Sequence, residues 1–169
     1  MKSIFLAGGC FWCTEAVFSM VKGVEKVIPG YIGGKIDNPN YQMVCNGNTG
    51  HAEAIKCTFN ELIISLDEIL NIFFLTHDPT QLNKQGNDVG THYRSAIFCK
   101  DKEQLNKVEE FMRSIQNRYD DKIVTEVSLN DTFYNAETYH FNYYANNKNA
   151  PYCQIVIKPK IEKLKKILK

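Results

Sequence analysis

Residues 3–21 read SIFLAGGCFWCTEAVFSMV. Ser3–Ala7 is a short apolar run of strand length. Gly8-Gly9 breaks it, and Phe11 to about Val21 can form a helix, with Glu15 near its first turn. The stretch therefore predicts a buried strand that turns sharply into a helix, with Cys10 at the junction. Unpaired N–H groups and the helix dipole favour an anion at such a junction, so the Cys10 thiol is expected to ionise more easily than in water. The neighbouring glycines let a ligand approach the backbone.

Outward from this unit, Val24–Gly34 reads as extended and is closed by Gly33-Gly34, and Pro39–Gly50 is an Asn- and Gly-rich loop carrying Tyr41. Glu53–Asn60 alternates: Glu53, Ile55, Cys57 and Phe59 face one way, Lys56 and Thr58 the other. Glu53 thus lies on the apolar side of its strand. Leu66–Thr76 reads as a helix capped by Ser65 and ended by Asp78-Pro79. Gln81–His92 is a polar loop and Tyr93–Cys99 a strand. Asp101–Tyr119 is the clearest helix, with Leu105, Val108, Met112, Ile115 and Tyr119 on one stripe. A strand at Ile123–Leu129, a helix at Ala136–Tyr144 and a Lys-rich amphipathic helix at Pro159–Leu168 complete the chain. Strands interleave with helices, yet few segments are apolar throughout, which favours an α+β two-layer arrangement over a doubly wound parallel sheet.

The 169 residues are 44% hydrophobic and 23% charged, a globular composition that suits a single domain over residues 1–169. Twenty Lys and Arg against nineteen Asp and Glu leave a formal charge of +1, so no global field holds a polyanion and no nucleic-acid partner is expected. No apolar run approaches the roughly 18 residues of a spanning helix, so no membrane partner is expected either. The apolar stretch Ile4–Ala7 is shorter than the about 7–15 residues of a signal-peptide core, which reads as an unprocessed, cytoplasmic chain. The lysines of the C-terminal helix are expected to be solvated while its apolar stripe packs on the domain.

Six cysteines stand at 10, 13, 45, 57, 99 and 153. Only Cys10 and Cys13 form a C-x-x-C, and no second such pair completes a zinc site. His51-x-Glu53 echoes a zinc-deaminase start, but the C-x-x-C precedes it and lacks the Pro. No metal is expected. Cys45, Cys57 and Cys99 read as buried small hydrophobes.

Gly9-Cys10-Phe11-Trp12 resembles the signature of the A-type peptide methionine sulfoxide reductases. Gly30-Tyr31-Ile32-Gly33-Gly34, Asn38-Pro39-Asn40-Tyr41, Thr49-Gly50-His51-Ala52-Glu53, His77-Asp78-Pro79-Thr80, Gln85-Gly86-Asn87-Asp88-Val89-Gly90 and Tyr93-Arg94-Ser95-Ala96-Ile97 follow in the family's order. Together they span roughly residues 3–157. The fold expected is an α+β two-layer sandwich with a central mixed sheet, ferredoxin-like in layout.

The resemblance implies reduction of methionine S-sulfoxide, free or in oxidised proteins, to methionine. Cys10 is the implied nucleophile, which becomes a sulfenic acid and then an intramolecular disulfide, regenerated by thioredoxin or a similar dithiol. No cofactor is implied, and a monomer is expected. Glu53 is the natural acid, because desolvation raises a carboxyl pKa and a neutral carboxyl does not repel a thiolate. The resemblance carries Tyr41 and Tyr93 as donors to the sulfoxide oxygen and Asp88 as a site carboxylate. It makes Phe11 and Trp12 the walls of the methyl pocket.

A sulfenic acid condenses with a second thiol, and two are open for that role. Cys153, in Pro151-Tyr152-Cys153, matches the family's C-terminal position. Cys13 departs from the commoner motif, which has Gly after Trp, but it stands nearest in the chain. The two thiols also fit a relay in series. The alternative reading is a general thiol-disulfide oxidoreductase built on Cys10-x-x-Cys13, which leaves Glu53, Tyr41 and Tyr93 without a task.

Overall fold

The computed structural model describes residues 1–168. The chain runs β1 (Lys2–Gly8), α1 (Phe11–Phe18), β2 (Val24–Ile32), α2 (Tyr41–Cys45), β3 (Ala52–Phe59), α3 (Leu66–Thr76), β4 (Lys84–Gln85), β5 (Asp88–Val89), β6 (Ser95–Cys99), α4 (Lys102–Ile115), β7 (Glu126–Leu129), β8 (Phe133–Asn135), α5 (Tyr143–Asn146) and α6 (Lys158–Ile167). Short 3₁₀ turns and one π-helical turn, Cys153–Ile157, lie between them.

The strand of the opening stretch is central. A six-stranded sheet has the order β7-β6-β1-β3-β2-β8. β1 lies antiparallel between β6 and β3, and it is buried from Ser3 to Gly8 because both edges and both faces are covered. The pair β6·β7 is parallel and every other pair is antiparallel, so the sheet is mixed. Among its four inner strands, α1 joins β1 to β2 and α3 stands between β3 and β6, a β-α-β-β-α-β path. The α+β class follows from this path. β4 and β5 form a separate two-residue ladder that carries Asp88.

The alternation in β3 is realised. Ile55, Cys57 and Phe59 join Ile4, Leu6 and Tyr31 in the core that α1, α3, α4 and α6 cover. The opposite face holds Phe5, Ala7, Ile32, Ala52, Ala54, Ala96 and Phe98. Phe133 of β8 covers part of it, stacking on Phe5 with centroids 5.2 Å apart.

α3 starts as the sequence predicts. Ser65 Oγ accepts from the Glu68 amide and Glu68 Oε2 accepts from the Ser65 amide, a reciprocal capping box. α4 is capped by Asp101, which accepts from Gln104 N–H at 2.8 Å, and buries Leu105, Val108 and Ile115. It gives way to a 3₁₀ turn at Gln116, short of the expected end at Tyr119. Tyr119 still packs inward, and its hydroxyl donates to the Phe74 carbonyl at 3.1 Å.

Gln81–His92, read as a loop, carries the β4·β5 ladder, the strands read from Tyr93 and Ile123 begin only at Ser95 and Glu126, and three further stretches depart from the sequence reading. Pro39–Gly50 contains the one-turn helix α2, because the Asn40 side chain accepts from Met43 N–H at 2.9 Å and starts a turn inside the loop. Ala136–Tyr144 is not one helix: a 3₁₀ turn at Thr138–His140 and α5 are separated by Asn142, whose φ of 55° is left-handed. That break turns the Asn142 amide toward the Glu15 carboxylate, 3.0 Å away. β8 has no counterpart in the reading, because three residues are too few to show a period. Lys169, the last residue of the Lys-rich segment, lies outside the described residues. No helix among the described residues is long and apolar enough to cross a membrane.

Candidate active site

Gly8 and Gly9 end β1, and Cys10 is the N-cap residue of α1. Gly9 has φ +99° and a Cβ there would lie 2.9 Å from the Gln85 side chain, so the turn needs glycine on both counts. The Gln85 amide oxygen accepts from the Asp78 backbone at 3.0 Å, and its NH₂ donates to the Asp78 carbonyl. This fastens the loop after α3 beside the nucleophile turn.

Glu53 projects from β3 into the same place. It is 1% exposed, and Oε1 accepts the Phe11 amide at 3.2 Å. Oε2 is buried with no hydrogen-bond partner. Burial pushes the carboxyl up to about 8; the negative charges of Asp88 and Cys13 add to that, and the Phe11 amide opposes it. Glu53 is therefore neutral at pH 7, as its place on the apolar side of the strand predicts.

The expectation for Cys10 is reversed. Its thiol is 7% exposed, and burial pushes it well above the ordinary cysteine value. The adjacent Cys13 sulfur and the Glu53 charge push the same way and outweigh the helix amides. Cys13 takes the anionic share. It is lowered to about 7, chiefly by the hydrogen bond from Cys10 acting against its own burial, with smaller help from the Lys160 charge and the Tyr152 hydroxyl. Near pH 7 Cys10 therefore holds its proton, and Cys13 is the more easily ionised of the two thiols.

Two tyrosines and a carboxylate approach from other elements. Tyr41 opens α2 and Tyr93 ends the 3₁₀ turn before β6. Burial raises both phenols, and the Glu53 charge is the next cause for each. Neither hydroxyl ionises at neutral pH, so each stays a donor. Asp88 accepts from the Tyr152 hydroxyl at 2.7 Å, and that hydroxyl lies 3.4 Å from Cys13 Sγ. Cys153 is fully buried in the π-helical turn, and the charge of nearby Cys13 adds to the burial that raises its thiol.

The aromatic wall is layered. Phe11 has no exposed surface and packs against Tyr31, Tyr41 and His140 at 5.7, 6.3 and 5.0 Å between centroids. Trp12 is half-buried; it stacks on Tyr143 at 3.7 Å and 8°, and Nε1 donates to His140 Nδ1 at 2.9 Å. Trp12 offers the accessible ring and Phe11 supports the layer behind it.

Several residues at this centre are invisible in the sequence patterns. Glu137 accepts from the Tyr31 hydroxyl at 2.8 Å and from the Tyr41 amide at 2.9 Å, which pins α2 to β2. His140 and Tyr143 brace Trp12 from 128 and 131 positions away, across a break that no helical period spans. Tyr152 stands inside Pro151-Tyr152-Cys153, but no local pattern there marks its hydroxyl for the site. Cys45 departs from its reading as a buried hydrophobe: it is half-buried, with its sulfur beside Tyr41. Cys57 and Cys99 are fully buried and conform.

Ligand atoms of Cys45, Glu53 and His92 lie within 4.8 Å of one another, the grouping among the described residues that could hold a cation. It assembles residues 39 and 47 positions apart, so linear spacing does not reveal it.

Comparisons with known proteins point to one family. The family model described as "Peptide methionine sulfoxide reductase" matches residues 2–169. The chain is 52% identical over 167 residues to a peptide methionine sulfoxide reductase MsrA of Saccharolobus solfataricus, covering 99% of this chain and 94% of that protein. Among solved structures, reduced Mxr1 of Saccharomyces cerevisiae superposes with a TM-score of 0.86 at 34% identity, over 90% of this chain and 88% of that one. Methionine sulfoxide reductase A of Corynebacterium diphtheriae does so with 0.84 at 31%, over 88% and 76%.

Proposed function

From the premise that the chain belongs to the peptide methionine sulfoxide reductase family, we propose a residue-by-residue course for sulfoxide reduction at this site. The observation that carries it is the neutral, buried Glu53 whose Oε2 has no partner beside the Cys10 turn. A buried polar atom left unpaired costs free energy unless a ligand group completes it. The sulfoxide oxygen completes it, receiving the Glu53 proton while the Tyr41 and Tyr93 hydroxyls donate to the same oxygen. The S-methyl group rests against Trp12.

The Cys10 sulfur attacks the substrate sulfur, and its proton passes to the Glu53 carboxylate that has given its own to the oxygen. The S–O bond breaks as the oxygen moves to Cys10. The substrate sulfur gains two electrons and leaves as methionine; Cys10 loses two and becomes a sulfenic acid. Cys13, as a thiolate, attacks the Cys10 sulfur, and the hydroxyl leaves as water with a proton from Glu53. Cys153 then attacks Cys13, which frees Cys10 and moves the disulfide to the C-terminal segment. The neighbourhood of Cys13 supports this order.

The S epimer is the substrate configuration of this reading, in free methionine sulfoxide and in oxidised proteins. Thioredoxin or an equivalent dithiol reduces the final disulfide. The reading treats the chain as one cytoplasmic, monomeric domain that needs no cofactor or metal.

A single turnover without external reductant tests it. Reduced protein mixed with a peptide carrying methionine S-sulfoxide should yield one equivalent or more of methionine and a mapped Cys10–Cys13 or Cys13–Cys153 bond. Cys10→Ser should lose turnover by at least about a thousandfold while remaining folded. Methionine formation retained in that variant removes Cys10 as nucleophile.

A further inference from the structure

We propose that Lys160 of α6 is a positioning residue for the resolving step: its ammonium holds Cys13 as the thiolate that attacks the Cys10 sulfenic acid. The inference rests on the reading of Cys13 as the first resolving thiol.

Three observations on the fold lead to it. Lys160 and Cys13 line one small, partly open crevice, together with Thr14, Phe73, Thr76 and His77. Lys158, Lys163, Lys165 and Lys166 on the same helix are exposed, but Lys160 is half-buried. No carboxylate lies within 4.0 Å of its ammonium and it makes no side-chain hydrogen bond; the salt bridges among the described residues are Arg94–Glu126 and Lys107–Glu103. Lys160 meets Cys13 on one side, and on the other it lines an open groove that Asp78, Asp120 and Asp121 also line. Cys13 is the ionisable thiol of the crevice.

The other groups around Cys13 supply hydrogen bonds or negative charge, but no positive charge. Cys10 donates to it, but Cys10 is itself consumed as a donor once oxidised. The Tyr152 hydroxyl has one proton, and it is committed to Asp88 at 2.7 Å, the shorter of its two contacts. Asp88 and Glu53 contribute negative charge or none. Cys153 is a raised thiol. His77 is buried and pushed down to about 4, so it is neutral at pH 7. Lys160 is the positive group left, and its charge acts to lower Cys13.

The step balances. The Cys13 thiolate forms the S–S bond, the Cys10 S–O bond breaks, and hydroxide leaves with a proton as water. Cys10 is reduced by one oxidation unit and Cys13 oxidised by one. Removing the Lys160 charge lowers the thiolate fraction of Cys13 and slows this step. Oxygen transfer to Cys10 precedes it and is left unchanged.

The test follows alkylation of Cys13 by iodoacetamide against pH in the reduced full chain, read by peptide fragmentation that separates Cys10 from Cys13. Wild type, Lys160→Met, Lys160→Arg and, as a control, Lys163→Met are compared. Wild type, Lys160→Arg and Lys163→Met should ionise near one another. Lys160→Met should ionise about one pH unit higher, a roughly tenfold loss of thiolate below the midpoint. In single turnover below pH 7, Lys160→Met should form methionine at the wild-type rate. Its sulfenic acid, trapped by dimedone, should persist about tenfold longer. If Met disturbs α6, Lys160→Gln deletes the same charge and reads the same shift. An unchanged Cys13 midpoint in a folded charge-deleted variant overturns the proposal. Absence of methionine from wild type overturns the reductase reading instead, and the alkylation midpoint still reports on Lys160.

Discussion

Glu53 accepts the amide proton of Phe11 at 3.2 Å, which ties a buried carboxyl on the sheet to the first residue of the helix that Cys10 caps. One hydrogen bond fixes the distance between acid and nucleophile. It also occupies only one carboxyl oxygen and leaves the other for substrate.

The protonation of Glu53 sets a pH limit. With its carboxyl pushed up to about 8, the acid is present at pH 7 and lost as pH rises through 8. Methionine formation in single turnover should fall about tenfold per pH unit beyond that point. Glu53→Gln should be slower below pH 8 and lack this fall. The stability sign is opposite to that of a salt-bridged carboxylate. Between the unfolded value near 4.5 and the folded value near 8, the unfolded chain ionises and the native state does not, so native stability drops as pH rises. Relative to wild type, Glu53→Gln should therefore gain stability between pH 5 and pH 8. The gain in urea unfolding should be on the order of a few kcal/mol, since each unit of pKa shift corresponds to about 1.4 kcal/mol. Equal stability changes at both pH values contradict the buried-acid assignment.

Cys13 and Cys153 should separate in disulfide maps. Cys153→Ser should complete one turnover and stop with a Cys10–Cys13 bond. Cys13→Ser should release methionine at the normal rate and then accumulate Cys10 sulfenic acid. Multiple turnover with thioredoxin should be slowed in both. A Cys10–Cys153 bond formed by Cys13→Ser as fast as the wild-type disulfide would falsify the order drawn from the position of Cys13.

Glu137 holds the Tyr31 hydroxyl and the Tyr41 amide. Glu137→Ala leaves both donors without that acceptor and should cost about 1–3 kcal/mol in urea unfolding. Because α2 begins at Tyr41, the same change should lower kcat by displacing the hydroxyl from the sulfoxide oxygen. Glu137→Gln keeps an acceptor for one donor and should fall between. Unaltered kinetics in a destabilised Glu137→Ala confine its role to packing.

Ser65 provides the contrasting case. Its capping box starts α3 on the exposed surface. Ser65→Ala should cost about 1 kcal/mol in the same unfolding assay, with kcat and KM unchanged.

The sequence by itself determined the α+β class, β1 and α1 around Cys10, the inward side of Glu53 and the start of α3. Each follows from a local rule: apolar alternation, a glycine break or a capping residue acts within a few positions. Only the tertiary structure decided the protonation of the dithiol. Residue order places Cys10 at a helix N-terminus and predicts a low thiol, but packing buries it beside Cys13 and Glu53 and raises it. Likewise Glu137, His140, Tyr152 and Lys160 reach the site from distant segments whose local patterns point elsewhere. Desolvation and charge depend on what folds against a group, and that neighbourhood is a property of the packed chain.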